Sequence, residues 1–192
     1  GLEASGYNMG VATADVDRDG LVDLYVTNLG SNHLLRNRGD GTFEDVTESA
    51  SADDQRLGVP AVFFDFDGDG WLDLFVGNYH RFRAADEKRC FMPNGLRDYC
   101  GPLSRPAQGD RLLRNRGRVG EIWGGFQDVT LVAGLGGRAA TALGAIAADF
   151  NLDGQIDPYV ANDLMAHHLW PTQGHGTFAH GALPPRPPFA AS

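Results

Sequence analysis

The sequence contains no run of about 18 apolar residues, so no segment is suited to cross a membrane as a helix. It also lacks a G-x-S-x-G elbow, a phosphate-binding P-loop and an H-E-x-x-H zinc motif. No Asn-x-Ser/Thr acceptor occurs, so N-glycosylation is not expected. Cysteine is scarce: Cys90 and Cys100 are the 2 present, too few for a zinc site without a nearby histidine pair. Basic residues are in deficit, 16 Lys and Arg (mainly Arg) against 25 Asp and Glu. A formal charge of −9 argues against nucleic acid, whose binding is driven by basic patches. No secretory leader is visible, and a chain starting at Gly1 without Met reads as processed or trimmed.

What is abundant is glycine, 26 of 192 residues, and aspartate in a fixed pattern. Three nine-residue loops repeat it: Asp15, Asp17, Asp19, Gly20, Asp23; then Asp65, Asp67, Asp69, Gly70, Asp73; then Asp149, Asn151, Asp153, Gly154, Asp157. Oxygen side chains stand at loop positions 1, 3, 5 and 9, with Gly at position 6. This pattern wraps a hard cation that takes roughly six to eight oxygens at about 2.3–2.6 Å. Carboxylates crowded into so short a loop repel one another unless a cation neutralises them. Gly permits the sharp turn that points the position-7 carbonyl (Leu21, Trp71, Gln155) inward. The loops read as three Ca²⁺ sites. The third departs from the pattern, with Asn151 for a carboxylate and Pro158 after the last ligand. The loops hold 11 of the 25 acidic residues, so three bound Ca²⁺ would leave a formal charge of only −3.

An EF-hand begins similarly but needs Glu at position 12; here that position is Val26, Val76 and Val160. The flanks are short β-branched and aromatic runs, so each loop joins two strands rather than two helices. Thirteen residues after the first Asp come Asn28, Asn78 and Asn162. A Leu-rich strand follows: Leu34-Leu35-Arg36-Asn37, then Leu112-Leu113-Arg114-Asn115, then a degraded His168-Leu169-Trp170-Pro171. A Gly-rich turn and a last strand complete each unit. Four short strands per repeat, with the first loops 50 residues apart, predict β-propeller blades. The second and third loops are 84 apart because of an insertion at 79–110 carrying both cysteines. Blades are expected over about 6–50, 56–135 and 139–182, within a unit of 1–182, and an extended Pro-rich tail over 183–192.

The Asp loops, Leu-Tyr-Val-Thr-Asn, Leu-Phe-Val-Gly-Asn and Tyr-Val-Ala-Asn-Asp, the two Leu-Leu-Arg-Asn-Arg-Gly strands, Gly-Asp-Gly-Thr-Phe-Glu-Asp-Val-Thr and the inserted Arg-Asp-Tyr-Cys-Gly-Pro-Leu together resemble one family. It is the FG-GAP/VCBS type of propeller blade, as in integrin α chains, and more closely the ASPIC/UnbV-type, cartilage-acidic-protein-like proteins. The resemblance spans about residues 6–180. It implies an all-β fold, Ca²⁺ on the loop positions named above, and a secreted or envelope-facing protein without an established catalytic centre.

Three blades do not close a propeller, which needs about four to eight. The chain is therefore a piece of a longer propeller, a module that completes a ring with its own copies, or a subunit stacking head to tail into a fibre. In an oxidising compartment Cys90 and Cys100 would form one small disulfide loop; in the cytosol they would be free thiols. Weak Ca²⁺ loops suit the outside of a cell, which favours an extracellular or periplasmic protein with the bridge formed. His167, His168, His175 and His180 match no metal spacing and read as surface or turn residues. Phe63, Phe64, Phe66 and Trp71 read as inter-blade core, and Arg36 and Arg114 as structural partners of the acidic loops or blade carbonyls. The expected function is a Ca²⁺-stabilised, non-catalytic module that binds protein or glycan at the cell surface, or copies of itself. A fibre subunit is the first alternative and a carbohydrate-active enzyme on a propeller scaffold the second. The insertion at 79–110 is the expected partner-contacting surface.

Overall fold

The computed structural model describes residues 6–82, 88–174 and 176–179. His175, His180 and the tail 183–192 lie outside these residues. The described chain is all-β apart from one 3₁₀ turn, Pro102–Ser104. In the first unit β1 (Asn8–Ala14), β2 (Asp23–Asn28), β3 (His33–Asn37) and β4 (Phe43–Asp45) form an antiparallel sheet in chain order. The second begins with β5 (Gly58–Phe64) and β6 (Asp73–Asn78). The insertion follows, with β7 (Cys90–Phe91), β8 (Arg97–Asp98) and β9 (Gln108–Gly109). After it come β10 (Arg111–Asn115), a small hairpin of β11 (Arg118–Val119) and β12 (Ile122–Trp123), and β13 (Phe126–Asp128). The second sheet runs β5-β6-β10-β13, so the insertion is a detour that leaves the sheet order intact.

β14 (Ala139–Ala140) pairs with β9 and ties the insertion to the linker before the third unit. That unit holds β15 (Ala142–Ala148), β16 (Asp157–Asn162) and β17 (His168–Leu169). Its sheet has three strands among the described residues, not the four expected. The fourth line survives as one bridge between Thr172 and Phe178. The reason is local: Pro171 occupies the place of Arg36 and Arg114, and proline has no N–H to donate to a ladder.

The sheets lie side by side through their first strands, β1 against β5 and β5 against β15, and do not close into a ring. Contact between β1 and β5 is close because Gly10 has no side chain; a Cβ there would stand 2.3 Å from the Val59 carbonyl oxygen. The middle sheet is covered on both faces, and all of β6 is buried. Its alternate residues divide between two cores. Leu74, Val76 and Leu113 pack with Val16, Tyr25 and Leu34 of the first unit. Phe75 and Leu112 pack with Phe64, Phe66, Val160 and Trp170 toward the third.

Phe64 and Phe66 are core, and Phe63 is partly buried edge-to-face with Tyr25. Trp71 is not core. It lies half-buried on the second Asp loop with the Arg18 guanidinium 4.4 Å above its ring and Gly117 against its indole edge. Apolar character in the sequence does not separate an indole serving as a cation platform from one in the core.

Candidate metal centre

Each loop is wound by its own side chains. Asp15 accepts N–H bonds from Asp19 (3.1 Å) and Gly20 (2.9 Å). Asp65 accepts from Gly68 and Gly70, both at 2.8 Å. Asp149 accepts from Asp153 (3.2 Å) and Gly154 (2.8 Å). The fifth positions, Asp19, Asp69 and Asp153, accept from the N–H groups of Leu21, Trp71 and Gln155 at 2.8, 2.9 and 2.9 Å. Gly20, Gly70 and Gly154 take φ of +89°, +86° and +86°, the left-handed turn the pattern required. Position 4 is left-handed too, and there only the second loop has glycine: Arg18 has φ +56°, Gly68 +75° and Leu152 +63°. Nothing in the residue types Arg and Leu announces this.

The ninth position does different work. Asp23 is fully buried; its two oxygens accept the N–H of Val16 (3.0 Å) and the N–H of Asn37 (2.9 Å). Asp73 does the same for Phe66 (3.0 Å) and Asn115 (2.7 Å), and Asp157 for Phe150 (3.3 Å) and Thr172 (2.8 Å). The carboxylate thus pins the loop to the third strand line of its own unit. The residue it holds reaches back: Asn37, Asn115 and Thr172 side chains donate to the carbonyls of Val22, Leu72 and Ile156 at 3.0, 3.1 and 2.6 Å.

Carboxylate oxygens of Asp15, Asp17 and Asp19 lie within 4.8 Å of one another, and so do those of Asp65, Asp67 and Asp73. Both sets offer the all-oxygen, clustered donor chemistry that a hard divalent cation takes. No such three-carboxylate group forms at Asp149, Asn151, Asp153 and Asp157 among the described residues. The first two loops differ from the third in another way. Arg114 places Nε 2.7 Å from Asp67 and Nη2 3.2 Å from Asp69, and Arg36 lies 3.6 Å from Asp17. The third loop has Pro171 in that place and, among the described residues, no such cation. Burial, with the charge of the neighbouring acids, pushes Asp17 and Asp67 above the usual carboxylate range; the two arginines work against that rise. Burial raises Asp23 as well and pushes Asp73 up to about 7.

The first two loops touch each other. Arg18, at position 4 of the first, donates to the Gly70 carbonyl of the second while capping Trp71. Asn115 Nδ2 donates to the Val16 carbonyl at 2.8 Å, so the clamp of the second unit also holds the first loop.

At the opposite end of the units Asn28, Asn78 and Asn162 are equivalent again. Their N–H groups donate to Asn32 Oδ1 (2.8 Å), Asp110 Oδ1 (2.9 Å) and His167 Nδ1 (2.9 Å). Three residue types perform one task, which hid the task from the sequence. His168 is buried edge-to-face with Trp170, so both described late histidines are parts of the third unit's frame. The Cys90–Cys100 disulfide is present, and among the described residues no helix is long and apolar enough to cross a membrane.

Residues 15–76, the first two loops and what lies between them, match the family model of the FG-GAP-like repeat. Cartilage acidic protein 1 of Xenopus tropicalis is 30% identical over 105 residues, covering 46% of this chain and 16% of that protein. Cartilage acidic protein 1 of Homo sapiens is 37% identical over 105 residues with the same coverage. The matched stretch thus spans about a sixth of the length of these curated relatives. By its acidic loops, its serial antiparallel sheets and these matches, the chain carries an FG-GAP-like repeat and is similar to cartilage acidic protein 1.

Proposed function

We propose that the chain is an extracellular, Ca²⁺-stabilised repeat module that binds protein or glycan in adhesion or assembly and is not a catalyst. The convergence of carboxylates on two loops held in contact carries this reading. Asp15, Asp17 and Asp19 would hold one ion, and Asp65, Asp67 and Asp69 a second. Asp23 and Asp73 would lend a remaining lone pair while keeping their backbone clamps. The third loop, with Asp149, Asn151, Asp153 and Asp157, would take an ion more weakly because it gathers fewer charges. The position-7 carbonyls of Leu21, Trp71 and Gln155 complete the donor sets. The ion's chemistry here is structural: it offsets the mutual repulsion of the loop carboxylates and fixes the turn between two strands. A ligand of the folded form alone raises stability by mass action. The test is Asp67→Ala, which lowers the melting temperature in Ca²⁺ and removes one ion from the calorimetric stoichiometry. Unchanged values for both would sink the assignment.

A second reading, a fibre built by head-to-tail stacking, is favoured by the two outer faces. Met9 and Val11 are exposed on β1, and Leu143 and Ile146 on β15. Exposed apolar side chains on the first strands of the two end units suit a heterologous contact. Negative-stain images in millimolar Ca²⁺ showing only isolated particles would exclude it.

A further inference from the structure

Within the insertion, one stretch inverts the charge of the molecule. Residues 88–105 contain Lys88, Arg89, Arg97 and Arg105 against a single acid, Asp98. The other positions hold 12 basic residues against 24 acidic ones, and Lys88 is the only lysine in the chain. The basic groups are gathered rather than spread. Lys88, Arg97 and Arg105 line one cleft of about 690 Å³ together with Phe82 and Tyr99, and Asp98 is the one acid among its described lining residues.

The cleft is a built structure. The Cys90–Cys100 bridge closes the segment that carries the β7–β8 pair. Lys88 Nζ donates to the Ser104 carbonyl at 2.6 Å, and the Arg105 guanidinium lies 5.0 Å over the Phe82 ring. Where the insertion leaves the second sheet, the Arg81 N–H donates to the Pro106 carbonyl, and Tyr79 donates through its hydroxyl to Asp163 of the third unit at 2.6 Å. Of the lining residues, Tyr99 is 96% exposed.

A cation-rich concavity on an otherwise acidic body concentrates attraction for an anion at one place. Peptide partners draw affinity from apolar anchors buried in pockets. This cleft is open, and the Tyr99 ring that lines it stands almost wholly in water. Flat amphipathic rings beside cations suit a chain of sugar rings bearing sulfate or carboxylate groups. We propose that this cleft binds an anionic glycan, a sulfated or uronate-bearing polysaccharide. The assignment rests on the extracellular binding reading above and names its ligand class. The acidic loops repel such a chain, so one segment binds per molecule, at the insertion.

The test titrates the full chain in Ca²⁺ buffer, by calorimetry, with a sulfated glycosaminoglycan hexasaccharide, its desulfated counterpart and a hexaglutamate peptide. The sulfated saccharide should bind one per chain, with affinity falling as salt rises from about 0.05 to about 0.3 M. Lys88→Ala with Arg97→Ala should weaken binding about tenfold. Tyr99→Ala should weaken it several-fold with little change in salt dependence, and Arg38→Ala, on the first unit, should leave it unchanged. Retained binding by the desulfated probe assigns the contact to uronate carboxylates; its loss assigns it to sulfates. No binding of the sulfated saccharide, equal or tighter binding of hexaglutamate, or an unaffected double variant overturns the proposal. Ca²⁺ uptake read on the same samples separates the two ideas. A chain that takes up Ca²⁺ but ignores the saccharide refutes the glycan assignment alone, whereas one that takes up no Ca²⁺ refutes the reading beneath it.

Discussion

Asp73 and Asn115 hold each other in both directions: the carboxylate accepts the Asn115 N–H at 2.7 Å, while the Asn115 amide returns a bond to the Leu72 carbonyl beside the aspartate. The pair is buried, and its carboxylate also takes the Phe66 N–H. Asp73→Ala leaves two buried donors without an acceptor and should cost about 2–4 kcal/mol even in chelator. Asp65→Ala, whose carboxylate bonds only the N–H groups of its exposed loop, should cost under about 1 kcal/mol in chelator and show its effect once Ca²⁺ is added. Urea unfolding of both variants with and without Ca²⁺ checks the contrast. Equal losses in chelator would contradict the division of labour within the loop.

Arg114 occupies oxygens of Asp67 and Asp69 that a cation would claim. Its side chain is 44% exposed, so the pairs themselves add little stability. Arg114→Met should raise Ca²⁺ affinity of the second loop about fivefold while lowering stability in chelator by less than about 1 kcal/mol. Calorimetric titration reads the first and thermal melting the second.

The third loop has neither the arginine nor the full set of carboxylates. Asn151→Asp supplies the missing charge and should tighten binding there about tenfold, since ligand charge sets affinity in such loops. A titration in which the third ion becomes clearly resolved would meet the expectation; one indistinguishable from the parent would not.

Asp110 is buried where it accepts the Asn78 N–H, and that burial pushes its carboxyl up to about 7. Unfolded, the same carboxyl titrates near 3.9, roughly the ordinary aspartate value. Between these values the folded chain retains a proton that the unfolded chain has released. Stability from this group therefore falls as pH rises from about 4 to 7 and stays reduced above. Asp110→Asn keeps an oxygen acceptor for Asn78 and removes the titration. Its melting temperature should exceed the parent's by several degrees at pH 8 and converge with it near pH 4, in scans run in chelator.

The disulfide lies in a detour that the second sheet bypasses. Reduction should leave Ca²⁺-dependent melting of the sheets nearly unchanged and expose 88–105 to proteolysis. A large drop in sheet stability on reduction would show that the insertion supports the units rather than decorating them.

The loops, strand pairs and unit spacing were legible because chemistry repeats there: aspartate at fixed intervals and left-handed glycine at position 6 recur in all three copies. The clamp formed by the ninth aspartate was less visible. A buried carboxylate that caps two N–H groups carries the same letter as a metal ligand, and only the position of Asn37, Asn115 and Thr172 in space tells them apart. Position 4 was hidden because Arg18 and Leu152 adopt a backbone more typical of glycine. Trp71 was misplaced because its partner, Arg18, is 53 positions away in sequence and on another unit. The third sheet lost a strand through Pro171, a residue visible from the start whose consequence depends on register.

Because the buried ninth carboxylate stitches each unit together with backbone bonds, the architecture has a form of redundancy. A copy with Asn at its third position, as at Asn151, still pairs its two strands in register. Copies of the unit can then differ in cation affinity without differing in fold. Arrays of this kind should accumulate copies that are mere spacers, and the tell-tale of a spacer will be a retained final aspartate amid decayed companions.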